Sequence, residues 1–274
     1  MKTILIAIAI LYSIHLSAQS NFIVFNEESI LINGVNTNVE NVVLEGNIDD
    51  IKKSWKSFTK ETLDEKMSEK NNLLTGEKIA INKVTDKRGD LLAYFYNKDK
   101  DVSVNIAFRL GYDIYLNSPQ YPEEYARFKE FCQAFVYKYY GEYLPKLIKA
   151  KSKEQKALTK ELKTLKKGIS KADKNLNKQN RLIIKSNKKI KQAESALLDI
   201  GADTIKKIKT ESQITELKAA IITSSQAIGM LKESICTNSE LVTAMEPNLV
   251  IIADELKSLQ MKLKEVQAKG KAIQ

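Results

Sequence analysis

Residues 144 to 197 read LPKLIKAKSKEQKALTKELKTLKKGISKADKNLNKQNRLIIKSNKKIKQAESAL, and their spacing decides the fold. Apolar residues alternate at steps of four and three. One series is Ile148, Gln155, Leu162, Ile169, Leu176, Ile183, Ile190 and Leu197; the other is Leu144, Lys151, Leu158, Leu165, Ala172, Gln179, Ser186 and Ala193. Eight heptads in step predict a long coiled-coil helix, about 80 Å in length at 1.5 Å per residue. The pattern stops at Asp199-Ile200-Gly201-Ala202-Asp203-Thr204, where Gly201 suits a helix end and Asp203 or Thr204 a new helix start. A second ladder then runs from Ile214 to Ile273, so a short loop joins two antiparallel helices.

Side-chain size sets the expected register of this hairpin. The small or polar Ala172, Gln179, Ser186 and Ala193 meet Ile235, Ile228, Ile221 and Ile214, and Ile183 meets Ser224, so that large faces small layer after layer. Pro247 is expected to kink or interrupt the second helix near Met245, because its ring removes a hydrogen bond and crowds the preceding turn.

Upstream, the pattern changes to short strands and two helices. Val42–Glu45 and Lys78–Asn82 read as strands, and Leu91–Tyr96 and Val102–Phe108 as a hairpin around residues 97–101. Val102, Val104, Ile106 and Phe108 alternate with Ser103, Asn105, Ala107 and Arg109, the period of a sheet with one buried face. Ile51, Trp55 and Phe58 mark one face of a helix, and Tyr125, Phe128, Cys132, Phe135 and Tyr139 one face of another that follows Pro122. Both stripes need the same sheet face for burial. The expected fold class is therefore α+β: a small two-layer α/β domain over residues 19–143, then a long antiparallel coiled-coil hairpin over residues 144–274.

Residues 1–18 have the parts of a signal peptide. Lys2 is the positive start, Thr3–Ile14 the apolar core, and Ser17-Ala18 the small residues before a cut ahead of Gln19. The core is shorter than the roughly 20 residues that span a bilayer, no later stretch is apolar enough to cross one, and no cysteine stands directly after the expected cut for lipid anchoring. The expected location, periplasmic or secreted, follows from export by this segment.

Val42-Val43-Leu44-Glu45-Gly46 leading to Trp55-Lys56-Ser57-Phe58, and Leu110-Gly111 with Tyr121-Pro122-Glu123-Glu124-Tyr125 ahead of a basic helix, resemble a group of uncharacterised exported bacterial proteins with an N-terminal α/β domain and C-terminal coiled coil. The resemblance covers roughly residues 40–200 and departs at Gly111-Tyr112, where a glycine pair is expected. It implies an extracytoplasmic protein with this domain order and supplies no activity and no functional residues.

Charge divides the chain. Residues 19–145 hold 16 basic and 20 acidic side chains, whereas residues 146–274 hold 27 and 14. The surplus gathers on one helix: Lys163, Lys166, Lys167, Lys171, Lys174, Lys178, Arg181, Lys185, Lys188, Lys189 and Lys191 form a candidate contact for an anionic partner. Solvation of a long helix is the other explanation of the same residues. Nucleic acid is not expected, since the helix carries heptads and no reading motif.

Catalytic chemistry is hard to build from what remains. The only histidine is His15, inside the signal, which removes the usual general base and the common zinc sets. Cys132 and Cys236 lack metal or redox spacing, and Cys236 falls at an outward heptad position from which it could crosslink two molecules. Asp49-Asp50 and Glu123-Glu124 suit helix starts. Arg88-Gly89-Asp90 matches an adhesion tripeptide but stands where a turn is expected. The tyrosines Tyr94, Tyr96, Tyr112, Tyr115, Tyr121, Tyr125, Tyr137, Tyr139, Tyr140 and Tyr143 could line a binding face or fill a core. No enzyme, cofactor or metal is expected. The expected function is that of an exported interaction protein, its coiled coil a spacer, tether or holdase arm and its α/β domain a docking head. Its partner would be a protein or an anionic envelope component. The alternative is a module for a small ligand or envelope polymer whose coiled coil serves to make a homo-oligomer.

Overall fold

The computed structural model describes residues 23–32, 34–112, 114–199 and 203–273. The expected signal peptide, residues 1–18, and Gly201 lie outside the described residues. The elements, in order, are β1 (Phe25–Ile32), β2 (Val35–Glu45), α1 (Ile48–Leu63), β3 (Ser68–Lys70), β4 (Leu73–Ala80), β5 (Arg88–Lys98), β6 (Asp101–Gly111), β7 (Ile114–Tyr115), α2 (Pro122–Asp199) and α3 (Thr204–Ile273). The chain is α+β, a sheet followed by long helices, as the sequence patterns require.

Two compact units divide these elements. The first holds the sheet, α1, α2 as far as Lys146, and α3 from Gln260 onward; the second is Leu147–Leu259. The boundaries differ from those expected, because the end of α3 joins the sheet unit. Its Val266 is buried, the Lys262 ammonium meets Glu45 at 2.7 Å, and Gly270 backs onto the Tyr137 Cβ.

The first unit is an antiparallel sheet in the order β1-β2-β6-β5-β4-β3, with β7 paired to the end of β6. Three strands are additional to those expected, and the hairpin is tighter. Lys98 pairs with Asp101, leaving Asp99 and Lys100 as the turn, with Asp99 at φ +56°. β4 runs earlier than expected, over Leu73–Ala80, and its register shifts between Gly76 and Ile79 where Lys78 takes φ +52°. Tyr112, at the position where a glycine was expected, sits exposed at φ +39°.

The helices α1 and α2 share one sheet face. Trp55 meets Phe135 edge-on at 4.8 Å, Phe58 lies 5.1 Å from Phe131, and Phe128 lies 6.3 Å from Phe108 of β6. Asn47 caps α1 by accepting from Asp49 N at 2.8 Å, and the Asp49-Asp50 and Glu123-Glu124 pairs fall in first turns, where carboxylates favour the helix dipole. The expectation of one buried face is corrected. Ser103, Asn105 and Ala107 are as buried as the residues between them, because Ile32, Val39, Leu92, Ala107 and Tyr115 form a second apolar cluster on the opposite face.

The second unit pairs α2 with α3 in antiparallel fashion. Lys151 meets Glu255 at 2.8 Å, and a Cβ on Gly168 would lie 3.6 Å from Asn238 Nδ2. Lys189, Gln192 and Ala193 share a cavity wall with Gln213, Glu216 and Leu217. These contacts fall within a few positions of the register derived from side-chain size. Asp203 starts α3, accepting from Lys206 N at 3.2 Å. Pro247 does not interrupt α3, which is helical throughout. Its ring already has a helical φ, Asn248 Nδ2 reaches the Ala244 carbonyl at 3.4 Å in the weakened turn, and Ile252 and Leu256 are buried just beyond it.

Candidate functional site

All eleven residues of the basic cluster are exposed. Among the described residues, Lys166 alone of them has an ion pair, with Glu246 at 2.8 Å. Their spacing carries more than their number. Lys167, Lys171, Lys174, Lys178, Arg181, Lys185 and Lys188 follow one another at alternating steps of four and three, the period of the apolar seam but on the outward side of α2. Such steps keep side chains in one line along a helix paired by heptads, about 5 Å apart in rise. The seven cations therefore form a straight ladder, while Lys163, Lys166, Lys189 and Lys191 flank it. Like charges at i, i+3 and i, i+4 repel, so the ladder is costly to the helix that carries it. Its period was present in the sequence, hidden by reading the lysines as composition.

In the first unit, a cleft of about 820 Å³ opens among α1, α2 and the end of α3. Phe58, Tyr137 and Val266 line it, with Lys83, Lys138 and Lys271 at its polar wall. Lys138 is engaged, 3.1 Å from Glu61 and 2.8 Å from Glu142. The hydrogen bond from Ser57, followed by that from Lys138, holds the Glu61 carboxyl below the ordinary range. Burial pushes the Tyr137 hydroxyl up. The cleft was not legible beforehand, since its walls come from segments far apart in the chain.

The tyrosines divide by role. Tyr115, Tyr125, Tyr139 and Tyr140 are buried, Tyr94 and Tyr96 are half-buried neighbours with rings 6.0 Å apart, and Tyr112 is exposed. Tyr125 donates to the fully buried Glu40, whose other oxygen lies 3.5 Å from Lys129 Nζ. Beside them Cys132 is buried, and burial, with Glu40 adding to it, raises its thiol well above the ordinary value. Such a thiol is inert. Cys236 is exposed, and both cysteines are free.

Arg88-Gly89-Asp90 is not a turn; it begins β5. Asp90 accepts from Arg109 and from Lys78 N, and a Cβ on Gly89 would strike the Arg109 carbonyl oxygen. The tripeptide is explained by the sheet. Among the described residues no cluster of His, Cys, Asp or Glu could hold a metal ion, and no helix is long and apolar enough to cross a membrane. No protein-family model matches the chain, and no curated protein matches it either.

Proposed function

We propose that this chain is a non-enzymatic, exported interaction protein whose basic ladder on α2 holds an extended anionic partner in the periplasm or outside the cell. The observation that carries the proposal is the spacing of Lys167, Lys171, Lys174, Lys178, Arg181, Lys185 and Lys188. Solvation needs charge on an exposed face but no single line of one sign. A line of cations about 5 Å apart suits a linear polyanion or a strip of anionic headgroups, and the sheet unit then serves as the docking head. The signal-like first residues and the resemblance to exported bacterial proteins support the location.

Binding of the mature chain to polygalacturonate, polyglutamate and anionic lipid vesicles, measured across salt concentrations, tests it. Affinity for at least one probe is expected to fall steeply from low to physiological salt. Replacing Lys167, Lys174, Arg181 and Lys188 by Glu is expected to abolish it while the helical signal survives. Unchanged binding by that variant, or no binding of any probe by the parent, rejects the proposal.

The cleft lined by Phe58, Tyr137 and Val266 favours a second reading, in which the sheet unit takes a small ligand. Saturable uptake of a small molecule that is lost in Val266→Trp, with the ladder variant unaffected, separates it from the first.

A further inference from the structure

The outward side of α3 carries a stripe with a different character. Ile208, Thr215, Ile222, Gly229, Cys236, Thr243 and Val250 recur every seventh residue, just beside the seam that faces α2. Every one of them is exposed and none is charged. Ile208, Ile222 and Val250 expose 62%, 60% and 58% of their surface. Over about 60 Å of helix this is a continuous, weakly polar face on a chain otherwise rich in lysine. Exposed apolar surface of that extent marks an interaction site.

The charges beside the stripe say what covers it. One flank holds Lys218, Ser225, Lys232, Ser239 and Glu246; the other holds Ala219, Gln226, Glu233, Glu240 and Pro247. In a parallel two-fold pair each flank meets the opposite flank of the other helix. Lys232 of each copy then stands across from Glu233 of the second copy, Lys218 meets alanine, Ser239 meets Glu240, Glu246 meets proline, and no like charges meet. An antiparallel pair centred on Cys236 would instead oppose Glu233 to Glu240. The α2 side offers no such surface, because two basic ladders repel.

We propose that a second copy of this chain docks along this stripe of α3, parallel and in register, with Cys236 against Cys236. The pairing is isologous, as a two-fold dimer requires, and its flanking charges fix direction in the manner of a coiled coil.

The full mature chain is examined by native mass and by copper-phenanthroline oxidation followed by non-reducing electrophoresis. A dimer that crosslinks through Cys236 is expected. Ile222→Glu with Val250→Glu is expected to weaken the dimer at least tenfold and remove the crosslink, with the helical signal retained. Lys232→Glu is expected to weaken it, and Lys232→Glu with Glu233→Lys to restore it, a rescue that general damage to folding would not give. A monomer at every concentration, a dimer that never crosslinks at Cys236, or a charge swap that fails to rescue overturns the proposal.

Discussion

The Tyr139 hydroxyl donates to the carbonyl oxygen of Glu45 at 2.6 Å, tying α2 to the last residue of β2. Tyr140, next in the chain, accepts the N–H of the same glutamate at 3.1 Å. The chain leaves this double clamp through Gly46, at φ +131°, where an added Cβ would lie 2.2 Å from the Tyr139 hydroxyl oxygen. Tyr139→Phe is expected to cost about 1 kcal/mol, one hydrogen bond. Gly46→Ala is expected to cost about 3 kcal/mol through backbone strain and the clash. The double variant is expected to be less destabilised than the sum, since removing the hydroxyl relieves the clash. Urea unfolding of the four proteins measures this, and strict additivity would contradict the geometry.

Asp90 and Arg109 predict an acid sensitivity. Burial works against the charged carboxylate, but the Lys78 N–H and the Arg109 guanidinium outweigh it and hold the Asp90 carboxyl below its ordinary value. A depressed folded-state pKa gives stability that is present above the unfolded value, near 3.9, and lost as pH falls through the folded one. Asp90→Asn is expected to cost about 1 kcal/mol at neutral pH. The gap between variant and parent is expected to close below about pH 4, as read by thermal melts across pH.

The ladder of Lys167 to Lys188 is expected to lower the stability of the helix pair that bears it. Neighbouring like charges cost about 0.2–0.5 kcal/mol each. Reversing Lys167, Lys174, Arg181 and Lys188 to Glu turns those repulsions into attractions, so the variant is expected to gain on the order of 2 kcal/mol at low salt. High salt should erase most of the difference. Melting followed by circular dichroism at two salt concentrations measures it.

Ser186 is expected to lie opposite Ile221. A cysteine pair at 186 and 221, in a Cys236→Ser background, is expected to close a bond within one chain, whereas a pair at 186 and 214 is not. Peptide mapping under non-reducing conditions distinguishes the two, and closure only at 186 and 214 would shift the register by a heptad.

Long helices were readable because a buried seam repeats, and each heptad of α2 restates the others. The sheet was readable only at its centre. Val42, Leu44 and the residues of Val102–Phe108 are buried in an alternating sequence, whereas β1 is mostly exposed and β3 wholly so, which leaves no periodic signal to read. The second apolar cluster escaped notice because Ser103 and Asn105 look like a solvent face, and their burial rests on hydrogen bonds from Asn41 across the sheet. The return of α3 to the sheet unit was invisible for a different reason. Its heptads continue unbroken through Leu259, Leu263 and Val266, so nothing in the spacing tells which surface each one covers. Of the candidate site, the basic residues and the period that lines them up were legible in the sequence, whereas the cleft needed the folded chain.

That return also sets a schedule. Since the sheet unit includes the residues from Gln260 to the end, the whole of Leu147–Leu259 is an insertion within it. The strands leave the ribosome well before the segment from Gln260 that completes their unit, so closure spans a long stretch of chain and is entropically slow. Until the segment from Gln260 has been made, the nascent chain keeps an unfinished sheet unit.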